Sequence, residues 1–282
     1  MSANSWQELL MPSREDCLWE LFHENSKLGR FGNPLPERSV VEWMKAQQES
    51  LPFHGYPEVV LPMVKSFSSM PIDAAIKARV SARQLQAVPI PLESLSSILH
   101  YAYGVSRANE SSVVPKAFRT VPSAGALYPL ELFFYSRYVE GIGAGVYHYN
   151  PLHNSIQFIR PENDNAQITK AFVQEALARE ASIIIFLTAL FEKCTFKYGE
   201  RGYRFIFLEA GHVAQNINLI VTALGLASVN IGGFYDREVD DYLSIDGLTH
   251  STIYLTAIGA EVVKDSSSEV VDGQEENTGR HS

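Results

Sequence analysis

The chain has only two cysteines in 282 residues, Cys17 and Cys194, too few and too far apart for a disulfide framework or a structural zinc site. Both read as free thiols, and Cys194, with no histidine placed beside it by sequence, reads as a small core residue and not a nucleophile. Dense runs of Lys and Arg are also missing. The formal charge is 23 − 32 = −9, which argues against nucleic acid as a partner. The longest apolar run, Ala181 to Phe191, falls short of the roughly 20 residues that cross a bilayer, so it reads as a buried strand and no membrane partner is expected. The first residues lack a basic segment followed by an apolar one, the mark of secretion, and a cytoplasmic location is expected. No G-x-G-x-x-G, G-x-x-x-x-G-K-[ST] or G-x-S-x-G occurs, which removes the commonest dinucleotide, nucleotide and hydrolase signatures.

What is there is the composition of a globular protein, 46% hydrophobic and 20% charged. Residues 1–70 mix helical patterns with Pro and Gly breaks, as in 28–36 and 51–57, and read as an arm with little core of its own. Residues 71–263 alternate helix and strand patterns and form the main domain. Residues 264–282 are polar and acidic, too poor in apolar groups to offset ordering entropy, and are expected to be disordered. Within the main domain, Leu92, Leu95, Ile98, Leu99 and Ala102 fall at helical spacing before Gly104. Strands are expected at 130–135, 146–149 and 155–159 as a meander, followed by a long helix over 204–224, a strand over 227–231, and another over 252–258. This is an α+β layout, a mostly antiparallel sheet flanked by helices.

Four short motifs carry chemistry. In Arg79-Val-Ser-Ala-Arg83, Ser81 and the guanidinium groups of Arg79 and Arg83 could converge on one dianion; the bland reading is a solvated helix face. Residues 119–129 place Pro122, Ser123, Gly125 and Ala126 in a small-residue loop that exposes backbone donors, or that is no more than a tight connection into the next strand. Residues 197–204, Lys-Tyr-Gly-Glu-Arg-Gly-Tyr-Arg, put Lys197 and Tyr198 where a proton can be moved, with positive charge from Arg201 and Arg204 nearby. The bland reading pairs Lys197 and Arg201 with Glu192 and Glu200 at the surface. Last, Ile231, Gly232 and Gly233 follow a buried strand and precede a helix near Asp236, so backbone there can approach a planar heterocycle closely. Glu209 and His212 have a Glu-x-x-His spacing, but no second copy exists, so no metal is expected and His212 reads as a hydrogen-bonded core residue.

In this order the motifs resemble the nitroreductase-like flavoproteins, and specifically the SagB-type peptide dehydrogenases, the azoline oxidases that include the microcin and cyanobactin oxidases. The resemblance spans nearly the whole chain: Phe22-His-Glu-Asn-Ser-Lys27 in the arm, then 79–83, Pro-Ser-Ala-Gly-Ala-Leu-Tyr-Pro at 122–129, Gly-Val-Tyr-His-Tyr at 145–149, residues 197–204, Leu-Glu-Ala-Gly-His-Val-Ala-Gln-Asn at 208–216, and 231–234. It implies an FMN-binding α+β sandwich, built as an intertwined homodimer with each flavin touched by both chains. Arg79, Ser81 and Arg83 match positions near the phosphate and ribityl chain; Pro122, Ser123, Gly125 and Ala126 match the loop beside the ring; Ile231, Gly232 and Gly233 match backbone over its N5 edge. Lys197 and Tyr198 match the pair that takes the substrate proton. The implied reaction oxidises a thiazoline or oxazoline in a modified peptide, or a related natural-product intermediate, to the azole. A cyclodehydratase is the implied partner, since no separate peptide-binding domain is visible. The alternatives are an NAD(P)H-dependent nitro- or quinone-reductase and a non-catalytic flavin-binding scaffold subunit.

Overall fold

A computed structural model describes residues 17–30, 35–63, 70–110, 113–162 and 165–262. The chain begins with helices α1 (Leu18–Asn25) and α2 (Glu37–Ala46), strand β1 (Glu58–Val60), helix α3 (Ile72–Ala78), strand β2 (Leu85–Gln86) and helix α4 (Leu92–Tyr103). A small hairpin of β3 (Val105–Arg107) and β4 (Phe118–Arg119) leads to a single 3-10 turn at Ala124–Ala126. Then come β5 (Leu130–Ser136), β6 (Gly145–Asn150), β7 (Ser155–Pro161), short helices α5 (Ala166–Lys170) and α6 (Glu175–Arg179), and β8 (Ile183–Leu190). The remainder is α7 (Glu192–Tyr198), α8 (Glu200–Ala223), β9 (Ala227–Ile231), α9 (Asp236–Leu243) and β10 (His250–Glu261).

Eight strands join in the order β1-β7-β6-β5-β8-β10-β2, with β9 also on β10, and every ladder is antiparallel. The meander read from 130–159 is therefore present as β5-β6-β7. Side chains of a strand point alternately to its two faces, and both faces here are covered. From β8, Ile183, Ile185, Leu187 and Ala189 enter the core under α4 and α8, while Ile184 and Phe186 enter a second core with Phe172, Leu177 and Val239. That double burial is why the 181–191 stretch is apolar without alternation. Truncating Ile185, which is fully buried, to Ala would cost about 2–5 kcal/mol.

The arm divides. Helices α1 and α2 hold no buried residue, as expected of a segment without its own core, whereas β1 pairs with β7 and extends the sheet. The stretch around the boundary near residue 70 (64–69) and the acidic tail from 264 lie outside the described residues. Two expectations change in detail. The 79–83 segment is extended and not a helix face: Ser81 bridges Ser228 of β9, and the Ala82 N–H donates to the Ser228 carbonyl at 2.9 Å. The long helix begins at Glu200 and not at Arg204, preceded by α7, so Lys197 and Tyr198 sit on the last turn of a short helix.

Candidate functional site

Two groups of motif residues form. The first lies along β9. The Ser81–Ser228 pairing sets the 79–83 segment beside that strand, and β9 ends at Ile231 where Gly232 and Gly233 emerge exposed. No atom lies within 4 Å of where a Gly232 Cβ would be, so backbone there is open to close approach. Gly233 is backed by Val173, whose N–H donates to the Gly233 carbonyl at 3.1 Å. Ser81 and Arg83 are exposed and Arg79 is partly so, and none has a side-chain partner among the described residues. Two unengaged guanidinium groups next to an open glycine turn suit an anionic ligand with a flat portion.

The second group is built by the corner between α7 and α8. Gly199 adopts φ 55°, ψ −145°, a backbone state that residues with a Cβ avoid, and this lets the chain turn sharply between the two helices. Gly202 then allows α8 to lie against α7: a Cβ on it would stand 2.9 Å from Thr195 Cα. The corner aims Lys197 and Tyr198 at the 122–126 loop. A Cβ on Gly125 (φ 64°) would fall 2.6 Å from Tyr198 Oη and 2.9 Å from Lys197 Nζ. The Lys197 ammonium lies 5.3 Å from the Tyr198 ring centroid and 3.9 Å from Met44 Sδ of the arm. Thus the second and third motifs meet, with two proton-carrying groups over bare backbone.

Arg201 and Arg204 are not spent on that pair, nor on Glu192 or Glu200. Arg201 donates to the Ser26 carbonyl at 3.2 Å; Arg204 donates to Ser26 Oγ at 2.8 Å and to the His23 carbonyl. With Phe22 packed edge-on to Tyr203 at 5.3 Å, the arm motif at 22–27 is docked on the motif at 197–204. His212 corrects another expectation, being exposed and not a core histidine. Its neighbour on the motif, Glu209, is buried, and no group of metal-ligating side chains occurs among the described residues. Cys194 is buried and its thiol is pushed up to about 12 by burial, consistent with a packing role.

Sequence reasoning missed the polar layer behind the loop. Glu209 is 3% exposed, and its carboxyl accepts the Tyr103 O–H at 2.8 Å. Burial raises its pKa to about 7, against hydrogen bonds from Ser123 and Tyr103 that lower it. Arg119, also buried, lies 4.2 Å over the Tyr103 ring and 5.0 Å over that of Tyr128. Further in, Glu131 is bracketed by His148 Nε2 at 2.9 Å and Lys193 Nζ at 3.4 Å. One signal was available: Glu209 falls within the buried stripe Ile206, Ala210, Val213 and Ile217, where a carboxyl needs partners. A cleft of about 910 Å³ lies elsewhere, by the arm, lined by groups such as Lys45, Glu49, His54 and Lys116; it contains none of the motif residues.

The pattern of the nitroreductase family matches residues 76–260. A protein of Methanocaldococcus jannaschii named as a nitroreductase is 39% identical over 188 residues, 67% of this chain and 90% of that one. The microcin B17-processing protein of Escherichia coli is 31% identical over 147 residues, 50% of this chain and 54% of that protein, so the match spans about half of each. Among solved structures, a nitroreductase-type protein of Anabaena variabilis shares the fold with a TM-score of 0.68 at 23% identity, over 90% of this chain and 49% of that one.

Proposed function

Because the chain belongs to the nitroreductase family, we propose that it is an FMN-dependent dehydrogenase that oxidises a thiazoline or oxazoline, in a modified peptide or a related intermediate, to the azole. The observation that carries this reading is the meeting of Lys197 Nζ and Tyr198 Oη over Gly125. The similarity to a microcin-processing protein supports a peptide substrate.

The residues suit the cofactor. Arg79, Ser81 and Arg83 would hold the phosphate and ribityl chain, since they are unengaged and line the strand that leads to the open backbone at Gly232. Ile231, Gly232 and Gly233 would lie along one edge of the ring, and Pro122, Ser123, Gly125 and Ala126 beside it. Bound FMN supplies the acceptor for the hydride leaving the azoline ring carbon. Lys197 Nζ or Tyr198 Oη would take the neighbouring Cα proton, with the bare Gly125 backbone letting both side-chain ends approach the loop closely.

No hydrogen bond or ion pair among the described residues joins the two groups within one chain. A homodimer would unite them, and Tyr203, Phe207 and Leu208, exposed on α8, offer an apolar face for the second copy. An enzyme that forms the azoline, a cyclodehydratase, is the partner this chemistry requires. A second reading, NAD(P)H-dependent nitro- or quinone-reduction, is favoured by the identity to the Methanocaldococcus protein.

The test uses purified full-length protein. Lys197→Ala and Tyr198→Phe should retain bound FMN while turnover of an azoline peptide falls at least 100-fold, the scale of general-base loss. Full activity in both variants would remove the base assignment. Rapid flavin bleaching by NADPH with no reduction by the azoline peptide would favour the second reading.

A further inference from the structure

The loop that faces Lys197 and Tyr198 is held in an unfavourable backbone state. Gly125, Ala126 and Tyr128 have φ of 64°, 53° and 48°, and two of these residues carry a Cβ. Left-handed backbone at such residues persists only where the surroundings over-determine it. Four hydrogen bonds do so here. Within the loop, Ser123 Oγ accepts the Tyr128 N–H at 3.0 Å, and Tyr128 Oη accepts the Arg119 N–H at 3.0 Å. Beyond it, Tyr103 Oη accepts the Leu130 N–H at 3.1 Å and donates its own proton to Glu209 Oε1 at 2.8 Å. The Ser123 side chain is the other group that stabilises the Glu209 carboxylate. A single carboxyl on α8 therefore stands against Ser123 at the start of the strained segment and, through Tyr103, secures Leu130 at its end.

We propose that Glu209 is the positioning residue of the candidate active site, tying both ends of the 123–130 segment so that Gly125 backbone is presented to Lys197 and Tyr198. The assignment of a catalytic role to that segment rests on the FMN reading above; the tie itself does not. Its neighbours fit the task. The Arg119 guanidinium over the Tyr103 and Tyr128 rings supplies countercharge, and Tyr103, buried beside Glu209, has its pKa pushed up by burial first and by Glu209 second, so it stays a donor. Lys193 and Cys194 complete the titratable groups around the carboxyl. Glu209 touches neither substrate nor ring, and acts only through the loop.

The distinguishing measurement is amide hydrogen exchange, read by mass spectrometry on flavin-free full-length protein. Glu209→Leu should speed exchange in peptides covering 122–130 at least tenfold while β8 and β10 exchange as in the native chain, and Glu209→Gln, which keeps an acceptor of the same shape, should restore protection to within threefold. Tyr103→Phe removes one of the two donors and should give an intermediate increase in the same peptides, which keeps the test decisive if Glu209→Leu does not fold. In parallel, FMN fluorescence quenching should show affinity weakened at least tenfold in Glu209→Leu and near native in Glu209→Gln. Native exchange at 122–130 in Tyr103→Phe and Glu209→Leu would overturn the tie. Failure of the native protein to bind FMN, with loop exchange still rising in the variants, would overturn the flavin reading and leave the tie standing.

Discussion

Tyr198 Oη stands 2.6 Å from the point where a side chain on Gly125 would begin. That gap is the space between a phenol and bare main chain, and it is reached from two segments more than 70 residues apart in sequence. Filling it makes the first prediction. Gly125→Ala meets both a left-handed φ of 64° and the Tyr198 and Lys197 side-chain ends. Stability should fall by about 1–2 kcal/mol, because the residue is exposed and the side-chain ends can shift, whereas azoline turnover should fall by a larger factor than stability explains. Thermal melts beside steady-state rates separate the two effects; unchanged kcat would mean that the close approach of this loop to Lys197 and Tyr198 does not bear on the reaction.

Glu131 should govern the acid side of the stability profile. Burial acts to raise its pKa, yet the hydrogen bond with His148 and the charges of Lys193 and Arg119 hold it down to about 2. A carboxyl lowered in the fold contributes stability above its unfolded value near 4.5, and that contribution is lost as pH falls toward 2. On the order of 3 kcal/mol is at stake from this group. Urea melts from pH 5 to 2.5 should show the decline, and Glu131→Gln, though less stable overall, should flatten it.

Glu209 should act with the opposite sign. Its folded pKa, raised to about 7 chiefly by burial, exceeds the unfolded value of 4.5. Between those values the native state binds more protons than the unfolded chain, so stability falls as pH rises from about 4.5 to 7 and levels off above. Glu209→Gln removes that decline. A native and a variant pH–stability curve that run parallel across this window would contradict the burial-driven shift.

Arg204 should control the docking of α1. Replacing it with Ala removes its bonds to Ser26 Oγ and the His23 carbonyl and exposes the buried Ser26 hydroxyl to water, worth about 2 kcal/mol for a charged donor. The expected outcome is faster proteolysis within residues 17–30 with the main sheet intact. Protease mapping that shows no new cleavage there would mean that the Arg201–Ser26 hydrogen bond and Phe22 on Tyr203 hold the helix without it.

The layers of the fold were legible in the chain because their causes are local. Ile183 to Leu190 is apolar on both faces, Leu92 to Tyr103 repeats at helical spacing, and the 130–159 meander is punctuated by its turns. Boundaries were less legible where a single glycine decides them: the long helix was expected from Arg204, yet it starts at Glu200 directly after Gly199, and the short α7 before that glycine was not read as a helix. The motif residues Arg79, Ser81, Lys197, Tyr198 and Gly232 were marked by their side-chain types in short motifs and by the family resemblance. Their grouping was not, since Arg201 and Arg204 looked equally available to Lys197 and turn instead to the arm.

By itself, then, the sequence determined which segments become strands and helices, and which residue types are chemically unusual, because hydrophobic period and side-chain chemistry are properties of neighbours along the chain. Only the tertiary structure decided that Gly125 faces Tyr198, that Ser81 runs beside Ser228, and that Glu209 lies behind the loop and not toward His212. Those pairings depend on how α8 crosses the sheet and on which of its faces is buried. A buried carboxyl must find donors wherever the fold brings them, and here they come from Tyr103 and Ser123, 106 and 86 residues away by numbering.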